Sequence, residues 1–261
     1  MIDFRVATVE DLPGIHEVWW AADPFEAGND NPWFGHVLRT GTMAVAMVEG
    51  RLVGFAGVRE VGQTIVVSDC FVAPEHQARG IGRSLLTRLL PGDSPVMTMA
   101  SQDPKARSLY SRFGMAPKWD CHYLSGGPAQ IDPGSLPARE VTGYPADHSD
   151  LAHLRDDLGC RFLALGTGNA AVGGDTIEST IIAPSGDPEA VLTAVVGWMG
   201  INDVPKANVH VSDLHPAFPR LVEAGFMVAA VDTFMASPGA NVPDPTRTTF
   251  NGDILRLSRG T

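Results

Sequence analysis

Gln77-Ala78-Arg79-Gly80-Ile81-Gly82 decides how this chain is read. It follows the mostly apolar run Ile65 to Pro74 and opens the helical run Gly82 to Leu90. A glycine-rich turn between a strand and a helix is a seat for a phosphate. Bare backbone N–H groups converge on the anion and the helix dipole adds positive potential. Gly80 and Gly82 let the backbone come close with no Cβ in the way, and Arg79 and Arg83 bring charge beside it. The spacing, Q-x-x-G-x-G, is neither the Walker loop, which needs Gly-Lys-Ser/Thr, nor the dinucleotide fingerprint G-x-G-x-x-G.

Upstream stands Cys70-Phe71-Val72-Ala73-Pro74-Glu75, a strand with a proline exit. Downstream stand Ala106, Leu109, Tyr110, Gly114 and Met115. Together with the loop, these residues resemble the GNAT acyltransferases. The loop is similar to that family's coenzyme A pyrophosphate loop, and the upstream residues to its fourth strand. The downstream residues are similar to its helix N-x-x-A-x-x-L-Y-x-x-x-G-F. Asp103 stands where that pattern has Asn, and Met115 where it has Phe.

Length and composition set the frame. A chain of 261 residues has room for one large or two small domains. Apolar residues make up 44% and charged residues 19%, an ordinary globular balance rather than a disordered one. The net charge of -11 argues against nucleic acid, whose phosphates it repels, and is compatible with a cationic amine. No run approaches the ~20 apolar residues of a membrane span, and Met1-Ile2-Asp3-Phe4-Arg5 is no secretory leader. Cys70, Cys121 and Cys160 are few and scattered, which suits reduced thiols in the cytoplasm and no metal site.

The periodicities predict strands over Phe4–Val9, Thr42–Met47, Leu52–Val58, Thr64–Ala73, Pro95–Ala100 and Met115–Leu124. Helices are expected over Glu10–Asp23, Pro32–Arg39, Gly82–Leu90 and Pro104–Phe113. This is the element order of GNAT domains. Gly126-Gly127-Pro128 and Asp132-Pro133-Gly134 then punctuate a linker, and a worn copy follows. Arg139-Glu140-Val141-Thr142 echoes Arg5-Val6-Ala7-Thr8, Asp150 to Leu158 echoes the first helix, and Leu221 to Phe226 echoes Tyr110 to Met115. The offset of 111 from Gly114 to Gly225 places Gly80 at Val191, Gly82 at Thr193 and Tyr110 at Leu221. On that mapping the copy lacks the glycines and the hydroxyl. The expected fold class is therefore α/β (α+β): two tandem GNAT-like domains, each a mixed, mostly antiparallel sheet flanked by helices. The expected boundaries are residues 1–126 for a cofactor-binding domain, 127–137 for a linker and 138–261 for a degenerate second domain.

The resemblance implies transfer of an acetyl group from acetyl-CoA to an amine, small-molecule or peptidic, with no metal. Tyr110 is then the general acid for the departing thiolate, and a backbone N–H near Val72 polarises the thioester carbonyl. Backbone amides from Gln77, Ala78, Arg79, Gly80, Ile81, Gly82 and Arg83 hold the pyrophosphate. Cys70, Phe71 and Val72 line the pantetheine, Asp103 and Ser101 lie at the mouth of the Tyr110 helix, and Arg107 reaches toward the nucleotide. Asp69 is the leading candidate for the base, although strict alternation along a strand faces it away from Ser68 and Cys70. A bulge would change that. Asp23, Glu26, Asp30 and Glu60 are the alternatives. Glu26, Trp33 and Trp119 are the expected acceptor-site residues, with Phe34, His122 and Tyr123 beside them. A non-catalytic acyl-CoA sensor is the competing reading, and aminoacyl transfer from transfer RNA is disfavoured by the acidic balance. Monomer and homodimer both remain open.

Overall fold

The computed structural model describes residues 1–22, 27, 28, 30–143 and 159–249. These residues form two compact units, one of Met1–Ala116 with Met235–Asn241, the other of Pro117–Phe234 with the residues from Val242. The spatial division thus differs from the expected boundary at 126: residues 117–126 count with the second unit, and Met235–Asn241 count with the first.

In the first unit β1 (Ile2–Val6), β2 (Thr42–Val48), β3 (Arg51–Val61) and β4 (Thr64–Val72) pair antiparallel in chain order. β5 (Val96–Ser101) joins β4 in parallel, the arrangement that needs a crossover helix between them. That helix is α3 (Ile81–Leu89), and α4 (Pro104–Ser111) follows β5. Their apolar faces close over the sheet with Ala56, Val67, Leu85, Leu86 and Tyr110 in one buried cluster. α1 (Leu12–Ala22) and α2 (Pro32–Thr40) cover the opposite face, where Phe34 meets Phe55 edge to face at 5.2 Å and Phe55 meets Phe71 tilted at 5.5 Å. Met235, fully buried, completes the α3–α4 core, and Ser237 exchanges two hydrogen bonds of 2.8 Å with Val96.

The second unit repeats this plan. β7 (Arg139–Val141), β8 (Arg161–Ala164), β9 (Gly168–Gly173) and β10 (Thr176–Ile182) pair antiparallel in succession. α5 (Pro188–Ile201) leads to β11 (Ala207–Ser212), which touches β10 in parallel at Thr176 and Asn208. α6 (Phe218–Glu223) leads to β12 (Met227–Ala236). β6 (Ala116–Gly126) runs antiparallel to β11, with β12 on its other side. α5 is apolar nearly all round and is the centre of this core, with Val191, Leu192, Val195, Val196 and Met199 fully buried.

The strands of the second unit align with those of the first. β4 carries a bulge at Ser68, because Gly57 pairs with Asp69 while the adjacent Val58 pairs with Val67. β10 carries one at Glu178, because Ile177 pairs with Val172 and Ser179 with the adjacent Ala171. Both bulges lie five residues before an Ala-Pro exit, Ala73-Pro74 in one strand and Ala183-Pro184 in the other. This alignment corrects the constant-offset mapping of the loop: Val191 and Thr193 lie inside α5, fully buried and 2% exposed. The counterpart of the phosphate loop is the short turn Ser185-Gly186-Asp187. The expected helix over 150–158 and the expected strand near 253–257 lie outside the described residues.

Candidate active site

The loop between β4 and α3 folds as its glycines require. Gly80 is the N-cap of α3 with φ +78°, in the left-handed region where a Cβ is strained, and Ala78 shares that region at +60°. Gly82 is needed for a different reason: a Cβ there would meet Leu109 Cδ2 at 3.3 Å and Cys70 Sγ at 3.4 Å. Close packing of α3 against β4 and α4 therefore depends on its absence. No described side chain caps α3, which leaves its first N–H groups open to an anion. Gln77 braces the loop by donating from Nε2 to the Val72 carbonyl at 3.0 Å.

In front of this helix end lies a cavity of about 570 Å³, large enough for much of an extended ligand. Its walls bring the two sequence motifs together: Cys70 and Val72 from β4, Gly80, Gly82 and Arg83 from the loop, and Tyr110 from α4. Gln77, Ala78, Ile81 and Asp103 also line it. Asp103 caps α4 through the Lys105 N–H at 2.9 Å. Arg79, Phe71 and Arg107 are not among the lining residues. Phe71 packs on Phe55 on the other face, and Arg107 is tied to the Gln102 carbonyl at 3.4 Å. Burial pushes the Cys70 thiol up to about 12, so it stays protonated.

Strands β4 and β5 pair only from Ile65–Val96 to Val67–Thr98. There the Thr98 hydroxyl donates to the Val67 carbonyl at 2.9 Å and closes the ladder. From Ser68 onward no described strand pairs with β4 on its β5 side, so an extended ligand can hydrogen-bond to that edge as a strand would.

The Ser68 bulge decides where Asp69 points. Val67 and Cys70 face α3 and α4, whereas a Cβ on Gly57 would meet both Ser68 Oγ and Asp69 Oδ2 beside Val37 of α2. Ser68 and Asp69 therefore share the α1–α2 face. Asp69 is 6% exposed and accepts from the Trp33 indole N–H at 3.3 Å. Burial raises its carboxyl from 3.8 to about 6, against the hydrogen bond from Trp33 that lowers it. A buried carboxyl poised near neutrality beside the splay is suited to taking a proton.

Trp33, 2% exposed, is thus in hydrogen-bond contact with Asp69. Trp119 lies in the second unit, where its ring stacks on Phe234 at 4.4 Å, and it does not line the cavity. Among the alternatives for the base, Asp30 is fully solvated, its side chain 98% exposed. Glu60 lines a separate cavity of about 330 Å³. Asp23 and Glu26 lie outside the described residues. Sequence reasoning missed Arg59. It sits half-buried on β3 with its guanidinium 5.5 Å over the Trp33 ring, and its buried Nε has no acceptor among the described residues. Burial lowers its pKa. A charged residue in an apolar β3 is the signal that was available. No group of three or more metal-ligating side chains occurs among the described residues, and no described helix is long and apolar enough to cross a membrane.

Residues 39–114, which hold the loop, the splay and the α4 motif, match the family model of the acetyltransferase (GNAT) domain. Solved structures extend the likeness to most of the chain. A Pyrococcus horikoshii protein assigned to the acetyltransferases has a TM-score of 0.76 at 16% identity, over 95% of this chain and 92% of that one. A tandem GNAT protein from the clavulanic acid biosynthesis pathway gives 0.63 at 15% identity, over 91% and 98%. A GCN5-related N-acetyltransferase from Sphaerobacter thermophilus gives 0.60 at 15% identity, over 92% and 98%. No curated protein sequence matches the chain. The match places residues 39–114 with the GNAT acetyltransferase domain model, and the fold of the chain is that of the GNAT acetyltransferases, a tandem GNAT protein among them.

Proposed function

We propose that the protein is an acetyl-CoA-dependent N-acetyltransferase whose chemistry lies in its N-terminal half, the second half being a degenerate copy. The observation that carries this is the cavity that unites the uncapped α3 terminus, the free edge of β4 and the Tyr110 side chain. Acetyl-CoA, when bound, supplies the acyl group as a thioester. The loop amides from Gln77 to Arg83 hold its pyrophosphate, and the β4 edge holds its pantetheine. Asp69 takes the proton that an ammonium must lose before it attacks, and Tyr110 donates to the departing sulfur. In the copy Tyr110 becomes Leu221, Asp69 becomes Ser179, and the glycine loop is gone, which supports a single working site. The three cysteines are free, in keeping with a cytoplasmic protein.

Calorimetric titration with acetyl-CoA tests the reading. One equivalent should bind the wild type and none should bind Gly80→Glu, where a charged side chain is forced into a strained, anion-binding turn. Tyr110→Phe should bind normally and turn over about 10- to 100-fold more slowly. No binding to the wild type overturns the reading, and binding without transfer to any amine leaves an acyl-CoA sensor.

The acceptor that suits the site is an amine that also bears an anionic group, because Arg59 places a cation without a described acceptor on the face that holds Asp69 and Trp33. Acceptor carboxylates should be preferred over their amides. Arg59→Gln should lower kcat/KM for the carboxylates at least about tenfold, the scale of a lost charge-assisted hydrogen bond, and leave the amides unchanged. Equal losses for both would remove Arg59 from acceptor recognition.

A further inference from the structure

The second unit keeps the geometry of a cofactor cleft without the residues that bind one. β10 and β11 touch at a single pair, Thr176 and Asn208, and then part, as β4 and β5 do. The bulge and the Ala-Pro exit align Thr180 with Cys70, which lines the cofactor cavity in the first unit. The turn that leads into α5 is three residues shorter than the phosphate loop. Its N-cap is Asp187, whose side chain accepts from the Glu189 N–H at 3.0 Å. Two carboxylates thus stand where the first unit has a bare, anion-binding helix end, and they repel a pyrophosphate.

Something else lies on this strand and turn. Thr249 and Thr180, 2% and 3% exposed, join their hydroxyls at 3.0 Å, and the Thr249 N–H reaches the Thr180 hydroxyl at 3.3 Å. Arg247 donates from Nη2 to the carbonyls of Ala183 at 2.7 Å, ahead of the turn, and Gly186 at 3.0 Å, within it. The segment is shaped for this by Asp244, whose carboxylate accepts from the Thr246 N–H at 2.9 Å and hydroxyl at 2.7 Å, while Arg247 N–H closes on the Asp244 carbonyl at 3.1 Å. Pro243 is buried. At the start of the helix that corresponds to α4, His215 is 1% exposed and within the electrostatic reach of Asp244.

We infer that the second unit retains the cleft that in the first unit receives acyl-CoA, and that this cleft is a peptide site filled in cis by the chain's own residues 243–249. Arg247 takes the place of a ligand's contacts to the turn, and the Thr249 main chain and hydroxyl take the place of its contacts to the strand. The tether keeps the peptide at high effective concentration, so modest bonds suffice. The inference rests on the duplication and is independent of whether the first unit transfers an acyl group.

The test is a chain ending at Asn241, titrated with a synthetic peptide of residues 242–250. One equivalent should bind, and the peptide carrying Arg247→Ala and Thr249→Val should bind at least tenfold more weakly. Acetyl-CoA, titrated into the same shortened chain, should still bind as one equivalent. A folded chain that ignores the peptide overturns the inference, and so does one that takes up a second equivalent of acetyl-CoA. Should the shortened chain not fold, the double variant Arg247→Ala, Thr249→Val in the full chain decides by hydrogen exchange. Amides of residues 180–187 should exchange at least tenfold faster while those of 77–83 keep their rates. Unchanged rates at 180–187 overturn the inference.

Discussion

Asp69→Asn is expected to lower kcat by about 10²- to 10⁴-fold with little change in acetyl-CoA affinity, because it removes a proton acceptor and leaves the cofactor cavity intact. The wild-type kcat/KM should rise with pH through about 6, where Asp69 ionises, and the variant should lack that limb. Stability should move the other way. The folded protein holds the Asp69 proton more tightly than the unfolded chain, at about 6 against 3.8. Ionisation therefore costs nothing below pH 3.8, costs progressively more up to about 6, and is fully paid above it. The shift corresponds to roughly 3 kcal/mol at neutral pH. Asp69→Asn should accordingly melt higher than the wild type at pH 8, and that advantage should vanish at pH 4. A variant that keeps its activity removes Asp69 as the base. A melting difference that is equal at both pH values shows that the carboxyl is not held protonated by the fold.

A chain cut at Gly126 should neither melt cooperatively nor bind acetyl-CoA, although it contains every residue assigned to the cofactor. It lacks Met235 from the α3–α4 core, which also holds Tyr110, and it lacks the Ser237 bonds to Val96 and the Asn241 N–H bond to the Thr64 hydroxyl at 3.2 Å. Deleting a fully buried methionine alone costs about 2–5 kcal/mol, a large share of a domain's stability. Circular dichroism and acetyl-CoA calorimetry on residues 1–126 give the answer. A sharp transition near that of the full chain would show that the first unit stands without its distant segment.

Much of the site was legible because its demands are local. A left-handed turn needs Gly80, a close helix–strand contact needs Gly82, and the alternation around them marks strand and helix. The helix of Tyr110 was legible through the spacing of Ala106, Leu109 and Gly114. What escaped was set by tertiary pairing. The Ser68 bulge leaves no mark on the alternation of apolar residues, so the facing of Asp69 was undetermined until β3 was seen to slip by one residue against β4. The copy of the loop was misplaced because a constant offset cannot register three deleted residues. Arg59 and Trp33 meet through a contact between β3 and α2 that no sequence spacing reports. The division near Ala116 rather than Gly126 was equally hidden, since Met235 reads as an ordinary apolar residue of a late strand.

That division governs the order in which a nascent chain can fold. The first unit draws on residues as late as Asn241, about 125 residues after its main body ends at Ala116. At ~5–20 residues per second, a ribosome needs roughly 6–25 s to deliver them. Throughout that interval the part made first waits with Val96 and its neighbours uncovered, and it is completed only once Asn241 has been made.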